Sequence, residues 1–141
     1  MTAPTDRVAL DTSAAVALLT SSHPAHQLAV RALGGRLPVL TGHSLAETYS
    51  VLTRLPGDAR VSPADAVLLF DDTFGSAVWL SPALAADVPR DLADRQVSGG
   101  AVYDALVGLA AAEAQLTLLT RDARAVTTYR SIGVRFELVD D

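Results

Sequence analysis

The sequence contains no cysteine and no lysine, and each absence excludes whole classes of chemistry. Without cysteine there can be no disulfide, no thiol nucleophile and no cysteine-based zinc site. Without lysine there can be no Walker P-loop, whose lysine contacts nucleotide phosphates, and no Schiff-base catalysis. All eleven cationic residues are arginine, alanine is abundant and asparagine is absent, a composition typical of a GC-rich genome.

Long apolar runs are also absent, since no segment approaches the roughly 20 residues that a membrane-spanning helix needs. The first residues resemble a signal peptide, because Arg7 is followed by mostly apolar residues as far as Leu19. However, Asp11 interrupts this segment and no small-residue cleavage site follows it. We therefore expect a cytoplasmic protein.

Basic charge is scarce as well. The net charge of −5 argues against a protein that holds nucleic acid along a broad basic face. It does not exclude a nuclease whose positive charge is supplied by a bound metal. Half of the 141 residues are apolar and they are spread along the whole chain, so we expect a single folded domain over residues 1–141.

Short apolar segments alternate with longer helical ones along the chain. The patterns predict strands at residues 7–10, 37–40, 77–80, 116–119 and 134–139. They predict helices at residues 14–19, 25–33, 44–55, 63–74, 82–95, 99–113 and 121–132. Short strands separated by helices are typical of a parallel sheet covered on both faces. The predicted fold is therefore α/β, a three-layer α/β/α sandwich with a mainly parallel central sheet.

The helix predicted at residues 99–113 has apolar or small residues on every face, and Asp104 is its only charge before Glu113. A helix that is apolar all round is normally buried. A carboxylate buried there cannot remain ionised without a partner. Three explanations remain open at this point: a raised pKa, a buried arginine or a metal ion.

Three further acids occupy positions that a parallel sheet could bring together. Asp11 follows the first predicted strand, Asp122 follows the fourth, and Glu47 lies in the third helix. The carboxyl ends of parallel strands line the ligand crevice of such sheets. Each acid also has a simpler explanation. Asp11 could cap a helix, Asp122 could be a first-turn acid favoured by the helix dipole, and Glu47 could lie on a solvated face near Arg54.

Four converging carboxylates would repel one another strongly without a cation. Two such charges about 5 Å apart, at an effective dielectric constant near 20, cost roughly 3 kcal/mol. A divalent metal would make this interaction favourable. Oxygen ligands without cysteine or histidine favour Mg²⁺ or Mn²⁺ over zinc.

At these acids the sequence resembles the PIN-domain ribonucleases, and among them the VapC-type toxins of bacterial toxin–antitoxin pairs. The resemblance covers essentially the whole chain, and all four acidic positions of the family pattern are filled in order. The segments that carry it are Val-Ala-Leu-Asp11-Thr-Ser, Ser-Leu-Ala-Glu47, Val-Ser-Gly-Gly-Ala-Val-Tyr-Asp104-Ala-Leu-Val, Leu-Leu-Thr-Arg-Asp122-Ala-Arg-Ala, Tyr129 and Gly133-Val134.

The resemblance implies a metal-dependent endoribonuclease that acts as the toxin of such a pair. It implies Asp11, Asp104 and Asp122 as ligands of Mg²⁺ or Mn²⁺, and Glu47 as a catalytic residue that is either a ligand or orients the attacking water. The implied partners are the RNA substrate, a VapB-type antitoxin and a second copy of the chain in a homodimer. The alternative is a non-catalytic PIN-like module that binds RNA or protein.

Several polar residues near these acids could support them. The hydroxyls of Thr12, Ser13 and Thr120 could contact the metal ligands, and Arg121 and Arg124 could contact flanking phosphates. For Arg130 and Arg135, further along the same basic segment, a solvated helix face is an equally good interpretation.

Histidine and aromatic residues offer no further pattern. The three histidines, His23, His26 and His43, are interpreted as surface or capping residues, because they have no ligand spacing. Three aromatic residues, Tyr49, Trp79 and Tyr103, are interpreted as core or interface residues and not as platforms for base stacking.

Overall fold

A computed structural model describes residues 6–140, and these residues form a parallel sheet of four strands. The strand order across the sheet is β2-β1-β3-β4, and every pairing between neighbours is parallel. The strands are β1 (Arg7–Leu10), β2 (Leu37–Leu40), β3 (Leu118–Thr120) and β4 (Phe136–Leu138). The predicted first two strands are confirmed at the same residues.

Helices connect these strands. They are α1 (Thr12–Leu19), α2 (His26–Leu33), α3 (Gly42–Thr53), α4 (Pro63–Thr73), α5 (Pro82–Ala86), α6 (Val88–Asp94), α7 (Ala101–Glu113) and α8 (Val126–Ile132). Short 3₁₀ turns lie at Gly57–Ala59 and Ala123–Ala125. Within residues 6–140, no helix combines the length and the apolar character that a membrane crossing requires.

Alternate strand residues pack into two separate apolar clusters, one on each face of the sheet. Ala9 and Leu118 point into a cluster that contains residues of α7 and α8, such as Val107 and Ile132. Leu10 and its strand neighbours point into the opposite cluster, which contains residues of α1 and α2. This alternation is the period of two that a strand imposes. The predicted three-layer α/β/α sandwich is confirmed.

The strand predicted at residues 77–80 is wrong. Only one bridge pair forms there, between Thr41 and Val78. Around it, the amide of Val78 donates to the carbonyl of Leu40 (2.9 Å) and the amide of Gly42 donates to Val78 (3.0 Å). The segment therefore lies along the outer edge of β2 without forming a regular strand.

The helix predicted at residues 82–95 is two helices, α5 and α6, that share Asp87 as their junction. Pro89 accounts for the break, since it has no amide hydrogen and its ring collides with the carbonyl of the residue four positions earlier. The helix predicted at residues 121–132 likewise begins as the 3₁₀ turn Ala123–Ala125 before α8. The third predicted helix starts earlier than expected because Thr41 and Ser44 form a capping box before it.

Candidate active site

A cavity of about 470 Å³ opens at the carboxyl end of the sheet, and all four acids of the sequence pattern line it. We call it the acidic cavity. Its lining consists of Asp11, Thr12, Ser13, Val16, His23, Glu47, Val51, Asp104, Val107, Arg121, Asp122 and Arg124. The convergence predicted from the strand ends therefore occurs in the fold.

Asp11 is both a helix cap and part of this cavity. It follows β1 directly, and its Oδ1 accepts a hydrogen bond from the amide of Ala14 (3.1 Å), which caps α1. The capping interpretation was therefore correct, and it is compatible with a role in the cavity. Oδ1 also accepts from the hydroxyl of Ser13 (2.6 Å), and Oδ2 accepts from the hydroxyl of Tyr129 (2.8 Å).

These donors act against the desolvation of the Asp11 carboxylate. Burial raises the pKa of Asp11 above its usual value of 3.8, and hydrogen bonds from Ser13, Thr120, Ala14 and Tyr129 oppose that rise. Burial dominates, so the charged form remains disfavoured. A carboxylate in this state gains from a cation.

Tyr129 was missed as a site residue by sequence reasoning. Its side chain is fully buried on α8, and burial followed by the charge of Asp11 raises the pKa of its hydroxyl, which stays protonated and donates. Gly108 makes room for it, because a Cβ there would lie 3.3 Å from the Tyr129 ring. A buried tyrosine needs a partner for its hydroxyl, but nothing in the sequence indicates that this partner is Asp11.

Hydroxyl groups tie the ends of β1 and β3 together beside Asp11. The Ser13 hydroxyl accepts from the amide of Arg121 (2.8 Å), and the Thr120 hydroxyl accepts from the amide of Asp122 (3.0 Å). The two hydroxyls lie 3.4 Å apart. Ser13 thus contacts the carboxylate of Asp11, Thr120 contacts the backbone of Asp122, and Thr12 lines the cavity next to them.

Asp122 lines the cavity just after the end of β3, the strand next to β1. Its Oδ1 accepts from the backbone amide of Arg124 (3.0 Å) and caps the short 3₁₀ turn that precedes α8. The guanidinium of Arg124 approaches the same oxygen at 3.4 Å, but that side chain is almost fully exposed. An exposed pair of this kind contributes little to stability.

Asp104 lies in the first turn of α7 and is half-buried. Burial and, after it, the charges of Asp122, Asp11 and Glu47 together raise the pKa of Asp104 to about 6. Within residues 6–140 its carboxylate makes no ion pair and no hydrogen bond, so the buried-arginine explanation is wrong. Elevated pKa values from burial and like charge are typical of functional sites.

The expectation that this helix has no solvated face is also wrong. The buried residues of α7 are confined to its later part, at Ala105 and at positions 107–111. In the first turn Tyr103 is 57% exposed and Asp104 opens into the cavity. The carboxylate is therefore placed where the helix leaves the core.

Glu47 reaches the cavity from α3. The capping box of Thr41 and Ser44 fixes the start of this helix, and the Ser44 hydroxyl donates to the carbonyl of Leu10 (3.1 Å) at the end of β1. Glu47 itself contacts His43 Nε2 through Oε2 at 2.8 Å, and it does not pair with Arg54. His43, interpreted from the sequence as a surface or capping residue, is partly buried and makes this contact from the first turn of α3.

The other histidines have local roles. His23 Nδ1 accepts from the amide of Ala25 (3.0 Å) in the turn before α2, and its ring also lines the acidic cavity. Burial and the charge of Arg121 lower the pKa of His23. His26 Nδ1 contacts the carbonyl of Ala17 (3.0 Å).

The arginines of the basic segment divide into two groups. Arg121 and Arg124 line the cavity, and the guanidinium of Arg121 donates to the carbonyl of Val139 (3.1 Å). Arg130 lies over the ring of Phe136, and Arg135 donates to the carbonyl of Gln115; neither lines the acidic cavity.

The aromatic residues interpreted as core or interface are exposed. Trp79 is 67% exposed, Tyr103 is 57% exposed and Tyr49 is 38% exposed. The core alternative is therefore wrong for all three residues.

The cavity could hold a hard divalent cation, because the acidic side chains that line it all offer carboxylate oxygens. Asp11, Asp104 and Asp122 could hold such an ion, and its charge would relieve the repulsion that raises the pKa of Asp104. In the described part of the chain, however, no three acidic or histidine side chains are already spaced as the ligands of one ion. An ion held here could complete its coordination with water, since Mg²⁺ usually binds one or two carboxylates and keeps several water ligands.

Comparisons with known proteins agree with this architecture. The family model for the PIN domain matches residues 8–130. Ribonuclease VapC27 of Mycobacterium tuberculosis is 52% identical over 127 residues, covering 90% of this chain and 93% of that protein. The structure of M. tuberculosis VapC20, a sarcin–ricin loop cleaving toxin, matches at a TM-score of 0.64 with 18% identity, over 85% of this chain and 93% of that one. The structure of Rickettsia felis VapBC2 bound to a fragment of its promoter DNA matches at 0.66 with 14% identity, over 95% and 99% of the two chains.

Proposed function

Because the chain belongs to the PIN-domain family and, within it, to the VapC-type ribonucleases, we propose that it is a metal-dependent endoribonuclease that hydrolyses RNA phosphodiester bonds as the toxin of a toxin–antitoxin pair. One observation carries the proposal. Four carboxylates surround one cavity with too few cations to neutralise them, and the pKa of Asp104 is raised to about 6.

In this proposal Asp11, Asp104 and Asp122 hold Mg²⁺ or Mn²⁺. A divalent ion held by these residues would supply Lewis-acid activation of a water molecule and positive charge next to the phosphate. Glu47 lines the same cavity from α3 and would orient the attacking water by accepting its hydrogen bond. Arg121 and Arg124 contact phosphates on either side of the bond that is cleaved.

The groups behind Asp11 keep it ready for this role. Ser13 and Tyr129 donate to its two carboxylate oxygens, so that the side chain is held in one orientation. Such supporting hydrogen bonds orient ligands and tune their basicity. Thr120 contributes by accepting from the backbone amide of Asp122.

We also propose that residues 1–141 form one PIN domain, with a VapB-type antitoxin and a second copy of the chain as partners. Support for a single domain comes from the sheet, whose strands run from Arg7 to Leu138. Support for an antitoxin comes from the similarity to VapBC2, a protein solved together with its partner.

The competing function is a non-catalytic PIN-like module. It is disfavoured because ionised acids around one cavity repel each other and destabilise the fold. A module without catalysis gains nothing from keeping all four.

Cleavage of RNA by the purified protein tests the proposal. We expect cleavage in Mg²⁺ or Mn²⁺ that stops in excess chelator and in Asp104→Asn. Asp94→Asn is the matched control, since it removes an exposed acid from α6 and should cleave like the parent. If the parent binds no Mg²⁺ or Mn²⁺ at millimolar concentration by calorimetry and cuts no RNA, the non-catalytic alternative is correct.

A further inference from the structure

His43 contacts one of the four acids from outside the acidic cavity. It lies four residues before Glu47 on α3, so the two side chains project from the same face of the helix. His43 Nε2 and Glu47 Oε2 are 2.8 Å apart. The imidazole is the more buried of the two groups, with 27% of its side chain exposed against 43% for Glu47.

Tyr103 packs on the other side of this contact. Its ring stacks on the His43 imidazole with the ring centroids 5.3 Å apart and the planes at 18°. Tyr103 belongs to α7 and directly precedes Asp104. The stack therefore joins the two helices that carry Glu47 and Asp104 at the rim of the cavity.

Glu47 needs such a contact to stay in place. Its side chain has three rotatable bonds, and the charge of Asp104 repels it across the cavity, as the contribution of Glu47 to the raised pKa of Asp104 indicates. Among the described residues His43 is its only hydrogen-bond partner. Without the imidazole the carboxylate would be free to turn towards solvent.

We propose that His43 is a positioning residue, which fixes the carboxylate of Glu47 at the edge of the acidic cavity and is itself held by the stacked ring of Tyr103. The proposal rests on the function proposed above for Glu47. A positioning contact between His43 and Glu47 differs from an ordinary pair on a helix surface, because an ordinary pair would stabilise α3 without affecting the rate of cleavage.

Single-turnover RNA cleavage tests this role. We expect His43→Ala to lower the cleavage rate about 10- to 100-fold, the size of effect that a small misplacement of a catalytic group produces. RNA affinity should stay unchanged. His43→Gln can still donate to Glu47 and should recover most of the rate. Tyr103→Ala should lower the rate, while Tyr103→Phe keeps the ring and should cleave like the parent.

A double-mutant cycle separates positioning from a structural effect. In a Glu47→Ala background, His43→Ala should cause no further loss, because the group it positions is already absent. Tyr49→Ala, which removes an exposed aromatic ring from α3, is the control for Tyr103→Ala. Fully additive losses, or a lower melting temperature with an unchanged rate, would overturn the proposal.

Imidazole nitrogen NMR gives a readout that does not depend on RNA cleavage. Glu47→Ala should shift the ring signals of His43 far more than those of His23 and His26. If the His43 signals do not move, the inference is wrong whatever the cleavage assay shows. If they move but the parent cleaves no RNA, the contact stands and the proposed function fails.

Discussion

Two cavities of nearly equal size lie at opposite ends of the sheet, and only one has the character of an active site. The acidic cavity at the carboxyl end measures about 470 Å³, and the cavity at the amino end about 480 Å³. The amino-end cavity is lined by Asp6, Arg7, Arg36, Gln115, Leu116, Thr117 and Arg135. Volume alone does not distinguish the two.

The state of the charges does distinguish them. At the amino end, Arg36 donates to the carbonyls of Leu33 and Ala32 at the end of α2 and pairs with Glu137 at 3.2 Å. At the carboxyl end, Asp104 has no such partner among the described residues, and its pKa is about 6. Arg36 at the amino end is engaged by the fold, whereas Asp104 at the carboxyl end remains available to a cation.

The largest effect expected from this contrast is on catalysis. Asp11→Asn keeps the size of the side chain and its capping ability but removes its charge. RNA cleavage should fall by at least about 100-fold, as when an electrostatic contribution at a reaction centre is lost. Glu137→Gln removes one charge near the amino end and should cleave like the parent. Equal losses in rate for the two variants would remove the distinction between the ends.

A smaller effect is expected at the hydroxyl that supports Asp11. Tyr129→Phe keeps the buried ring but removes the donor to Oδ2, which should lower activity about 10- to 100-fold. It should also lower the free energy of unfolding by about 1–2 kcal/mol. Tyr49→Phe is the matched control on an exposed tyrosine. Denaturant unfolding and cleavage assays would check both values, and an unchanged rate would show that Asp11 does not need this hydrogen bond.

Metal should stabilise the protein through one cavity only. When the free ion is present at 100 times its dissociation constant for the folded state, it adds about 2.7 kcal/mol to the free energy of unfolding. Mn²⁺ should therefore raise the melting temperature of the parent and of Glu137→Gln, but much less that of Asp104→Asn. A similar rise in all three proteins would place the binding elsewhere.

The acids should weaken the fold at neutral pH when metal is absent. The pKa of Asp104 is raised from 3.8 to about 6, so folding favours its protonated form. The stabilisation that comes from protonated Asp104 is fully present below about pH 4. It is lost as the pH rises through about 6, where the folded protein must ionise this carboxyl group. In chelator, Asp104→Asn should therefore melt a few degrees higher than the parent at pH 7.5 and equally at pH 4. Asp94→Asn should show no such pH dependence; if it did, the effect would reflect net charge.

The smallest effect is expected at the amino end. Arg36→Gln removes the exposed pair with Glu137 and two donors to the end of α2, which should cost about 1 kcal/mol of unfolding free energy. Cleavage should not change. A loss of activity in this variant with normal stability would indicate that the amino-end cavity also serves function.

Much of the fold could be read from local patterns. The first two strands were predicted at their observed residues, because each is short and apolar and is bounded by polar residues or by glycine. The prediction failed at residues 77–80 and at 82–95, where an irregular edge segment and the proline at position 89 decide the structure. In both places the local residue pattern was compatible with a regular strand or helix. The backbone hydrogen bonds that such an element needs do not form there.

The site was predicted in a similar way. The four acids could be found because their order along strand ends and helices places them at one end of a parallel sheet. The contact of His43 with Glu47 could have been predicted from the sequence, since a spacing of four residues on a helix brings side chains together. The contact of Tyr129 with Asp11 could not have been predicted in this way, because it joins residues 118 positions apart.

The identity and order of the acids, the alternation of strands and helices and the absence of lysine and cysteine are properties of the sequence alone. The charge state of the site is a property of the tertiary structure. Asp11 is hard to ionise because it is buried next to α8, where Gly108 leaves room for Tyr129. Asp104 is hard to ionise because it is partly buried and lies near three other acids. Desolvation and repulsion depend on distances between distant parts of the chain, and those distances exist only after folding.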